Sequence, residues 1–175
     1  MWNNIYIRYM HEIKVTSGIG KAAVYEELLP QIRSLVGEER DMTANLANVS
    51  AALKEAFGFF WVGFYIVRQA ASGVGEELVL GPFQGPVACT RIAFGRGVCG
   101  SAWKEMRSIV VEDVLKFPGH IACSSLSRSE IVVPLRTSSG IAGVLDIDST
   151  DTGTFDEVDR HYLEKLCSII CDFEK

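Results

Sequence analysis

Two short apolar segments rich in β-branched residues stand close together in the second half of the sequence, at residues 131–135 and 141–147. Segments of this composition are typical of buried strands. The polar stretch between them, residues 136–140, ends in glycine and has the length of a hairpin connection. We therefore predict that the two strands are antiparallel neighbours, and the rest of the fold must be built around that hairpin.

Further strand and helix patterns surround the hairpin. Strands are predicted at residues 59–67, 77–80 and 109–111. Helices are predicted at residues 21–36, about 41–57, 97–106 and 155–173. Pro30 is expected to kink or break the first helix, and Gly58 suits the end of the second. Thr154 and Glu157 predict a capping box for the last. Helices flanking a mainly antiparallel sheet make the fold class α+β.

The length of the chain and its composition set the number of domains. With 175 residues, of which 48% are hydrophobic, the chain can bury one sizeable core. Residues 1–20 lack an amphipathic pattern and are predicted to be a tail, to which we assign no role. Residues 21–175 are predicted to form the single folded domain.

Charge and hydropathy exclude two classes of partner. The net charge is −5 and the 17 basic residues are scattered, so the chain lacks the basic patch that nucleic-acid binding needs. No apolar run reaches the roughly 18 to 20 residues of a membrane helix, and the first residues do not have the pattern of a secretory signal. We expect a cytoplasmic protein without a nucleic-acid or membrane partner.

The five cysteines divide into two groups by their surroundings. Cys89, Cys99 and Cys123 stand in stretches interrupted by glycine or proline, which predict loops. Any one of them could fill a small space in the core, but three in accessible loops together favour thiol chemistry. Cys167 and Cys171 lie four residues apart beside the apolar stripe of the last helix, where packing is the better interpretation.

Two other kinds of cysteine site fit the sequence less well. A structural zinc site usually contains a close pair of ligands, whereas Cys89 and Cys99 are ten residues apart, so we predict no metal. A cysteine hydrolase would need His120 as the base for Cys123, and a residue so near in the chain cannot be assumed to be oriented correctly. We interpret His120 as a loop histidine that is hydrogen-bonded to backbone.

Three acidic residues accompany the predicted hairpin. Glu130 opens its first strand, while Asp146 and Asp148 alternate with apolar residues late in the second and therefore share one face. Antiparallel pairing brings Glu130 beside Asp146 or Asp148. The three carboxylates are predicted either to share a pocket or to form a solvated polar face at a sheet edge.

These motifs closely resemble those of the free methionine-(R)-sulfoxide reductases, which are enzymes with a GAF fold. The resemblance is carried by residues 60–65, 81–89, 95–100, 120–123, 129–135 and 144–149. It extends over about residues 21–170 and implies a single GAF-type catalytic domain within residues 21–175. It also implies reduction of free L-methionine (R)-S-oxide to L-methionine, and the preference for the R epimer rests on the resemblance alone.

The resemblance suggests roles for the cysteines. Cys123 is expected to be the nucleophile that becomes a sulfenic acid, and Cys89 the resolving thiol that condenses with it to a disulfide. Cys99 is expected to be a second resolving or an alternate nucleophilic thiol, and the spacing leaves the order of the three open. A thioredoxin-like dithiol would recycle the protein, and no cofactor is implied.

The resemblance also suggests roles for acidic and aromatic side chains. Glu130 and Asp148 are candidates to protonate the sulfoxide oxygen, because burial and mutual repulsion raise the pKa of neighbouring carboxyl groups. Asp146 is the candidate partner for the ammonium group of a free amino acid. Trp61 and Tyr65 are candidates to enclose the methyl-sulfoxide end, or else belong to the core.

One departure and several alternatives accompany this hypothesis. An acidic residue usually follows the cysteine of the Ile-Ala-Cys motif in the family, whereas this chain has Ser124. The alternatives are a non-catalytic GAF sensor that binds a small ligand and a thiol sensor of peroxide that lacks a methionine pocket. A homodimer through the terminal helices is also plausible.

Overall fold

The computed structural model describes residues 12–37, 39–121 and 123–172. Its centre is a six-stranded sheet in the order β3-β2-β1-β6-β5-β4, and every neighbouring pair is antiparallel. The strands are β1 Trp61–Gln69, β2 Glu76–Gln84, β3 Arg91–Ala93, β4 Ile109–Val111, β5 Ser129–Thr137 and β6 Gly140–Ser149. The α-helices are α1 Lys21–Gly37, α2 Met42–Phe57, α3 Gly97–Glu105 and α4 Glu157–Asp172, with a short 3₁₀ turn at Val114–Lys116. The predicted α+β class is confirmed.

The predicted hairpin is formed by β5 and β6. These strands pair from Ser129 opposite Ser149 to Thr137 opposite Gly140. Gly140 has a φ of 128°, a backbone conformation that favours glycine and lets the chain reverse within a few residues. On its other side β6 pairs with β1, so the hairpin lies at the middle of the sheet rather than at an edge.

The two faces of the sheet bury different residues. Alternate residues of β1, β5 and β6 face helices α1, α2 and α4 and form the larger apolar core with them. The residues that the sheet contributes to that core are Val62, Phe64, Ile131, Val133, Leu135, Leu145 and Ile147. The residues between them face α3 and the loops, where a smaller apolar cluster forms around Trp61, Tyr65, Val132 and Val144. The acidic residues lie on this second face.

Two helix predictions need correction. Helix α1 continues through Pro30, because Leu28 and Ile32 on either side are buried in the core and the proline itself is exposed. The predicted capping box of Thr154 and Glu157 is wrong. The carboxylate of Asp156 instead accepts hydrogen bonds from the N–H groups of Val158 and Asp159, and the Asp159 carboxylate accepts one from the N–H of Asp156.

The strands also differ in detail from their predictions. Strand β1 begins two residues later than predicted, and β2 runs on to Gln84 through residues that were expected to form a loop. Strand β3 was not predicted, since only Ile92 of its three residues is β-branched, whereas the equally short β4 consists of Ile109, Val110 and Val111. Helix α2 matches its prediction closely, with Asp41 at its N-terminal cap and Gly58 in the left-handed conformation after its last residue.

The predicted tail falls partly outside the described residues, which begin at Glu12. Ile13 and Val15 pack against the larger core, and the backbone N–H groups of Lys14 and Thr16 donate hydrogen bonds to side chains of α1. The division between tail and domain at residue 20 stays a prediction. Among the residues that are described, no helix combines the length and the apolarity that crossing a membrane requires.

Candidate active site

The candidate site is a cleft on the sheet face opposite α1, α2 and α4. Its walls come from the middle strands β1, β5 and β6, from the start of α3, and from the loops before β3 and β5. The residues that carry chemistry in its lining are Cys99, His120, Cys123, Ser127, Glu130, Asp146 and Asp148. The cleft therefore gathers groups that are far apart in the sequence.

The carboxylates meet because of the strand register. Glu130 of β5 lies directly opposite Asp148 of β6, and Asp146 lies opposite Val132, two residues further along the same face. Glu130 and Asp146 are only 6% and 7% exposed. The structure thus brings the three acidic side chains into one buried pocket, and the alternative of a solvated sheet edge does not apply to them.

Burial dominates the electrostatics of these carboxylates. It raises the pKa of Glu130 and of Asp146 well above their ordinary values, and the neighbouring charges on β6 raise both further. Burial also raises the pKa of Asp148 to about 6, against a hydrogen bond from Ser127 that lowers it. One oxygen of Asp146, Oδ1, is buried without a hydrogen-bond partner among the described residues. At least one of these groups holds a proton near neutral pH.

Cys99 lies in the helix that was predicted over residues 97–106, so its interpretation as a loop cysteine is wrong. It occupies the first turn of α3 and is buried, with its Sγ 3.9 Å from Oε1 of Glu130. Burial, followed by the charge of Asp146, raises the pKa of the Cys99 thiol well above its ordinary value. Cys99 is therefore the least accessible of the three candidate thiols.

Cys89 and Cys123 come together although 34 residues separate them. Their Sγ atoms are 2.6 Å apart, and both side chains are half-buried in loops at the mouth of the cleft. Burial and the neighbouring Cys89 raise the pKa of Cys123 to about 12. The contact places the two sulfurs where a disulfide can form with little backbone movement, because a bonded pair stands about 2.05 Å apart.

Trp61 and Tyr65 form the aromatic wall of the cleft. The indole N–H of Trp61 donates to the carbonyl of Pro86, and the Tyr65 hydroxyl donates to the carbonyl of Cys89, so both rings hold the Cys89 loop in place. A side chain at Gly63, between them on the same face, would bring its Cβ within 2.3 Å of Phe83 Cβ. The two aromatic residues thus belong to the smaller core and line the cleft as well.

Two polar residues of the cleft were missed by the sequence interpretation. Ser127 is buried and donates a hydrogen bond to Asp148. The side chain of His120 faces Oε2 of Glu130 at 3.7 Å from Nε2, rather than the backbone as expected. Both residues belong to the loop that precedes β5. His120 stands three residues before Cys123 and Ser127 three before Glu130, which is the only sequence signal that could have indicated them.

The remaining residues singled out from the sequence are Ser124, Cys167 and Cys171, and each makes contacts within the fold. Ser124, where the family usually has an acidic residue, accepts a hydrogen bond from the N–H of Leu126 and so closes a turn of the Cys123 loop. Cys167 is buried in the larger core, and Cys171 packs against it, as expected for packing residues.

One set of side chains has the spacing of a metal site. Cys99, Glu130 and Asp146 offer ligand atoms within 4.8 Å of one another, which the spacing of residues in the sequence did not indicate. A divalent cation binds deprotonated thiolates and carboxylates. Burial here favours the protonated form of all three groups, since it raises each of their pKa values. A cation would therefore have to displace protons from this cluster in order to bind.

Comparison with known proteins agrees with this geometry. Residues 39–171 match the GAF domain family. The chain is 55% identical over 159 residues to GAF domain-containing protein A of Dictyostelium discoideum, covering 91% of this chain and 97% of that protein. It is 44% identical over 149 residues to the free methionine-R-sulfoxide reductase of Escherichia coli, covering 85% and 87%.

A solved structure provides the same comparison in three dimensions. The fold is similar, with a TM-score of 0.89 and 56% identity, to free methionine-R-sulfoxide reductase from Neisseria meningitidis in complex with its substrate. The alignment covers 94% of this chain and 96% of that one.

Proposed function

This chain belongs to the GAF-domain family of free methionine-R-sulfoxide reductases, and from that premise we propose that it reduces free L-methionine (R)-S-oxide to L-methionine. The observation that carries the proposal is the Cys89–Cys123 sulfur contact beside a pocket with three acidic side chains, of which Glu130 and Asp146 are buried. A sulfoxide needs both a thiol to reduce its sulfur and an acid to protonate its oxygen, and the cleft offers both.

The cysteine steps follow from the positions of the sulfurs. The Cys123 thiol, whose pKa is raised in the free protein, loses its proton to solvent as it attacks the sulfoxide sulfur. The oxygen passes to Cys123 as a sulfenic acid while the methionine sulfur is reduced by two electrons. The Cys89 thiol then attacks the sulfenic sulfur, which forms the disulfide and releases the oxygen as water. The 2.6 Å contact between these sulfurs supports Cys89 over Cys99 as the first resolving thiol. Cys99, buried beside Glu130, is left as a second resolving thiol.

The acidic side chains have two tasks, which are proton donation and substrate binding. Glu130, the more deeply buried of its pair with Asp148, donates the proton to the sulfoxide oxygen, and Asp148 supports it. Asp146 binds the ammonium group of the substrate through its unpartnered Oδ1. A methionine within a polypeptide has no such ammonium group, so this contact selects the free amino acid. Trp61 and Tyr65 enclose the methyl-sulfoxide end.

Turnover requires an external reductant. A dithiol protein of the thioredoxin kind attacks the Cys89–Cys123 disulfide and restores both thiols. A reducing compartment such as the cytoplasm would supply that reductant. The homodimer through the terminal helices stays a prediction.

The decisive experiment is an assay of turnover with both sulfoxide epimers and a dithiol. We expect the protein to consume free methionine (R)-sulfoxide catalytically and to leave the S epimer. A small-ligand sensor would bind without consuming it, and a peroxide sensor would oxidise once without needing Glu130 or Asp148. Either result would replace the proposal with that alternative.

A second experiment assigns the cysteines. Each Cys→Ser variant receives excess substrate without reductant, and the methionine released is counted. Cys89→Ser is expected to release one equivalent and stop at the sulfenic acid, whereas Cys123→Ser is expected to release none. A full equivalent from Cys123→Ser would show that another thiol is the nucleophile. Cys167→Ser, in the core behind the sheet, serves as the matched control.

A further inference from the structure

His120 is the residue of the cleft whose position the proposed reaction leaves unexplained. Its side chain is only 13% exposed, and Nε2 lies 3.7 Å from Oε2 of Glu130. Its backbone N–H donates to the carbonyl of Phe117, which fixes the loop and turns the imidazole towards the pocket. The ring therefore lies between the cleft and the carboxyl group that is assigned as proton donor.

Glu130 needs a route by which its proton is replaced. It is buried, and its other near neighbours are the buried Cys99 thiol at 3.9 Å and the carboxyl groups of Asp146 and Asp148. After one protonation of the sulfoxide oxygen, the carboxylate must regain a proton before the next turnover. The separation of 3.7 Å from His120 is closed by a small rotation of either side chain, or bridged by one water.

The titratable and charged groups around the ring are few. Arg96 and Cys99 face the cleft from the start of α3, Glu130 from β5, Asp146 and Asp148 from β6, and Cys123 from the loop of His120 itself. Burial lowers the pKa of His120 and raises that of Glu130, which favours transfer of a proton from the imidazolium to the carboxylate. An imidazole also exchanges protons with solvent near neutral pH. Its partial exposure allows that exchange, which the enclosed Glu130 lacks.

We propose that His120 is a positioning residue that returns a proton from solvent to Glu130 in each turnover, an inference that rests on the proposed sulfoxide reduction. The Glu130 carboxylic acid gives its proton to the sulfoxide oxygen. The imidazolium N–H of His120 then gives a proton to the Glu130 carboxylate, and the neutral ring takes one from water. No electrons move in these transfers, and the redox change stays with the cysteines.

The first test is chemical rescue of His120→Ala. We expect kcat at saturating substrate to fall roughly tenfold to a hundredfold, with little change in KM, because acid–base groups contribute on this scale. Added imidazole is expected to restore kcat, and more strongly below neutral pH, where the cation is abundant. His161→Ala, at an exposed position of α4, is the control and is expected to keep its kcat.

The second test is His120→Gln, which keeps an N–H that can reach Glu130 but cannot titrate. We expect its kcat to be as low as that of the alanine variant. A wild-type kcat and pH profile in His120→Gln would overturn the proposal, and so would a low kcat in His120→Ala that imidazole does not raise, since that indicates a packing role. If the unmodified protein produced no methionine at all, the proposed function itself would be wrong.

Discussion

The molecule contains two groups of buried acidic side chains, and their partners differ. Asp159, between the helices, is 2% exposed, and its carboxylate accepts hydrogen bonds from Lys21 at 2.6 Å and from the Tyr25 hydroxyl at 2.9 Å. Glu130, which is buried in the cleft, has the Cys99 thiol at 3.9 Å and the His120 imidazole at 3.7 Å. Oδ1 of the buried Asp146 has no hydrogen-bond partner among the described residues. The comparison teaches that burial alone does not mark a functional carboxylate, whereas burial without donors does.

The physical basis of this difference is the cost of desolvation. A buried carboxylate with close cationic and hydroxyl donors stays charged and stabilises the fold. A buried carboxylate without them holds its proton and destabilises the fold when it ionises. The second kind persists where a ligand or a proton transfer uses it. Four substitutions or measurements test this comparison, and they follow in order of expected effect.

Of the four tests, Glu130→Gln has the largest expected effect, which is a loss of activity. The amide matches the neutral acid in shape but cannot donate its proton, so kcat should fall about a thousandfold, or ~4 kcal/mol of transition-state stabilisation. The melting temperature should stay the same or rise, because no charged pair is lost. Glu112→Gln, at an exposed position beside β4, is the matched control. A melting temperature that falls as steeply as kcat would contradict the comparison, because Glu130 would then be structural.

Asp159→Asn has the next largest expected effect, which is a loss of stability. The amide keeps one acceptor oxygen but no charge, so either Lys21 or Tyr25 loses its hydrogen bond to this side chain, and urea unfolding should show a loss of about 3 kcal/mol. The kcat of the folded protein should be unchanged. Asp156→Asn, whose carboxylate also contacts Lys21 but is more exposed, should cost only about 1 kcal/mol. Equal losses for the two variants would show that burial of Asp159 adds nothing.

The pH dependence of stability follows from Asp148. Its pKa is about 6 in the folded protein and about 4 in an unfolded chain. The protonated form therefore stabilises the folded state below pH 4, and this contribution is lost as the pH rises through 6. We expect the difference in unfolding free energy between the natural protein and Asp148→Asn to change by about 2 kcal/mol over this range. A constant difference would mean that Asp148 ionises normally.

Ser127→Ala has the smallest expected effect. The serine hydroxyl lowers the pKa of Asp148, so its loss should move the acid limb of the kcat/KM profile towards higher pH. The expected displacement is about half to one pH unit, in line with ~1 kcal/mol for one hydrogen bond. Ser125→Ala, at an exposed position of the same loop, should leave the profile unchanged. Identical profiles for the two variants would show that Ser127 does not tune Asp148.

Much of the fold could be predicted because it rests on local patterns. Alternation of apolar residues in β5 and β6 and the glycine at their turn fixed both the hairpin and the face on which the acidic residues lie. Asp41 and Gly58 marked the ends of α2 through cap chemistry that acts over one turn. The predictions failed where tertiary packing outweighs a local preference, as in the continuation of α1 through Pro30.

The candidate site was predicted less completely. The clustering of the three acidic residues was predicted because antiparallel pairing sets the residues of neighbouring strands opposite one another in regular order. The roles of Ser127 and His120 were missed because their loop lacks the repeating residue pattern from which the direction of a side chain can be inferred. Cys99 was interpreted as a loop cysteine because glycines stand on both sides of it. In the structure these glycines instead allow α3 to begin close against β3.

The sequence by itself determined the fold class, the central hairpin, the clustering of the acidic residues and, through its motifs, the family. It could do so because hydrophobic period and short motifs are encoded in neighbouring residues. Only the tertiary structure decided that Cys89 meets Cys123, that Cys99 is buried beside Glu130, and that His120 turns towards the same carboxyl group. These contacts join segments 10 to 34 residues apart, and the path of irregular loops between them depends on the packed sheet and helices rather than on any local pattern.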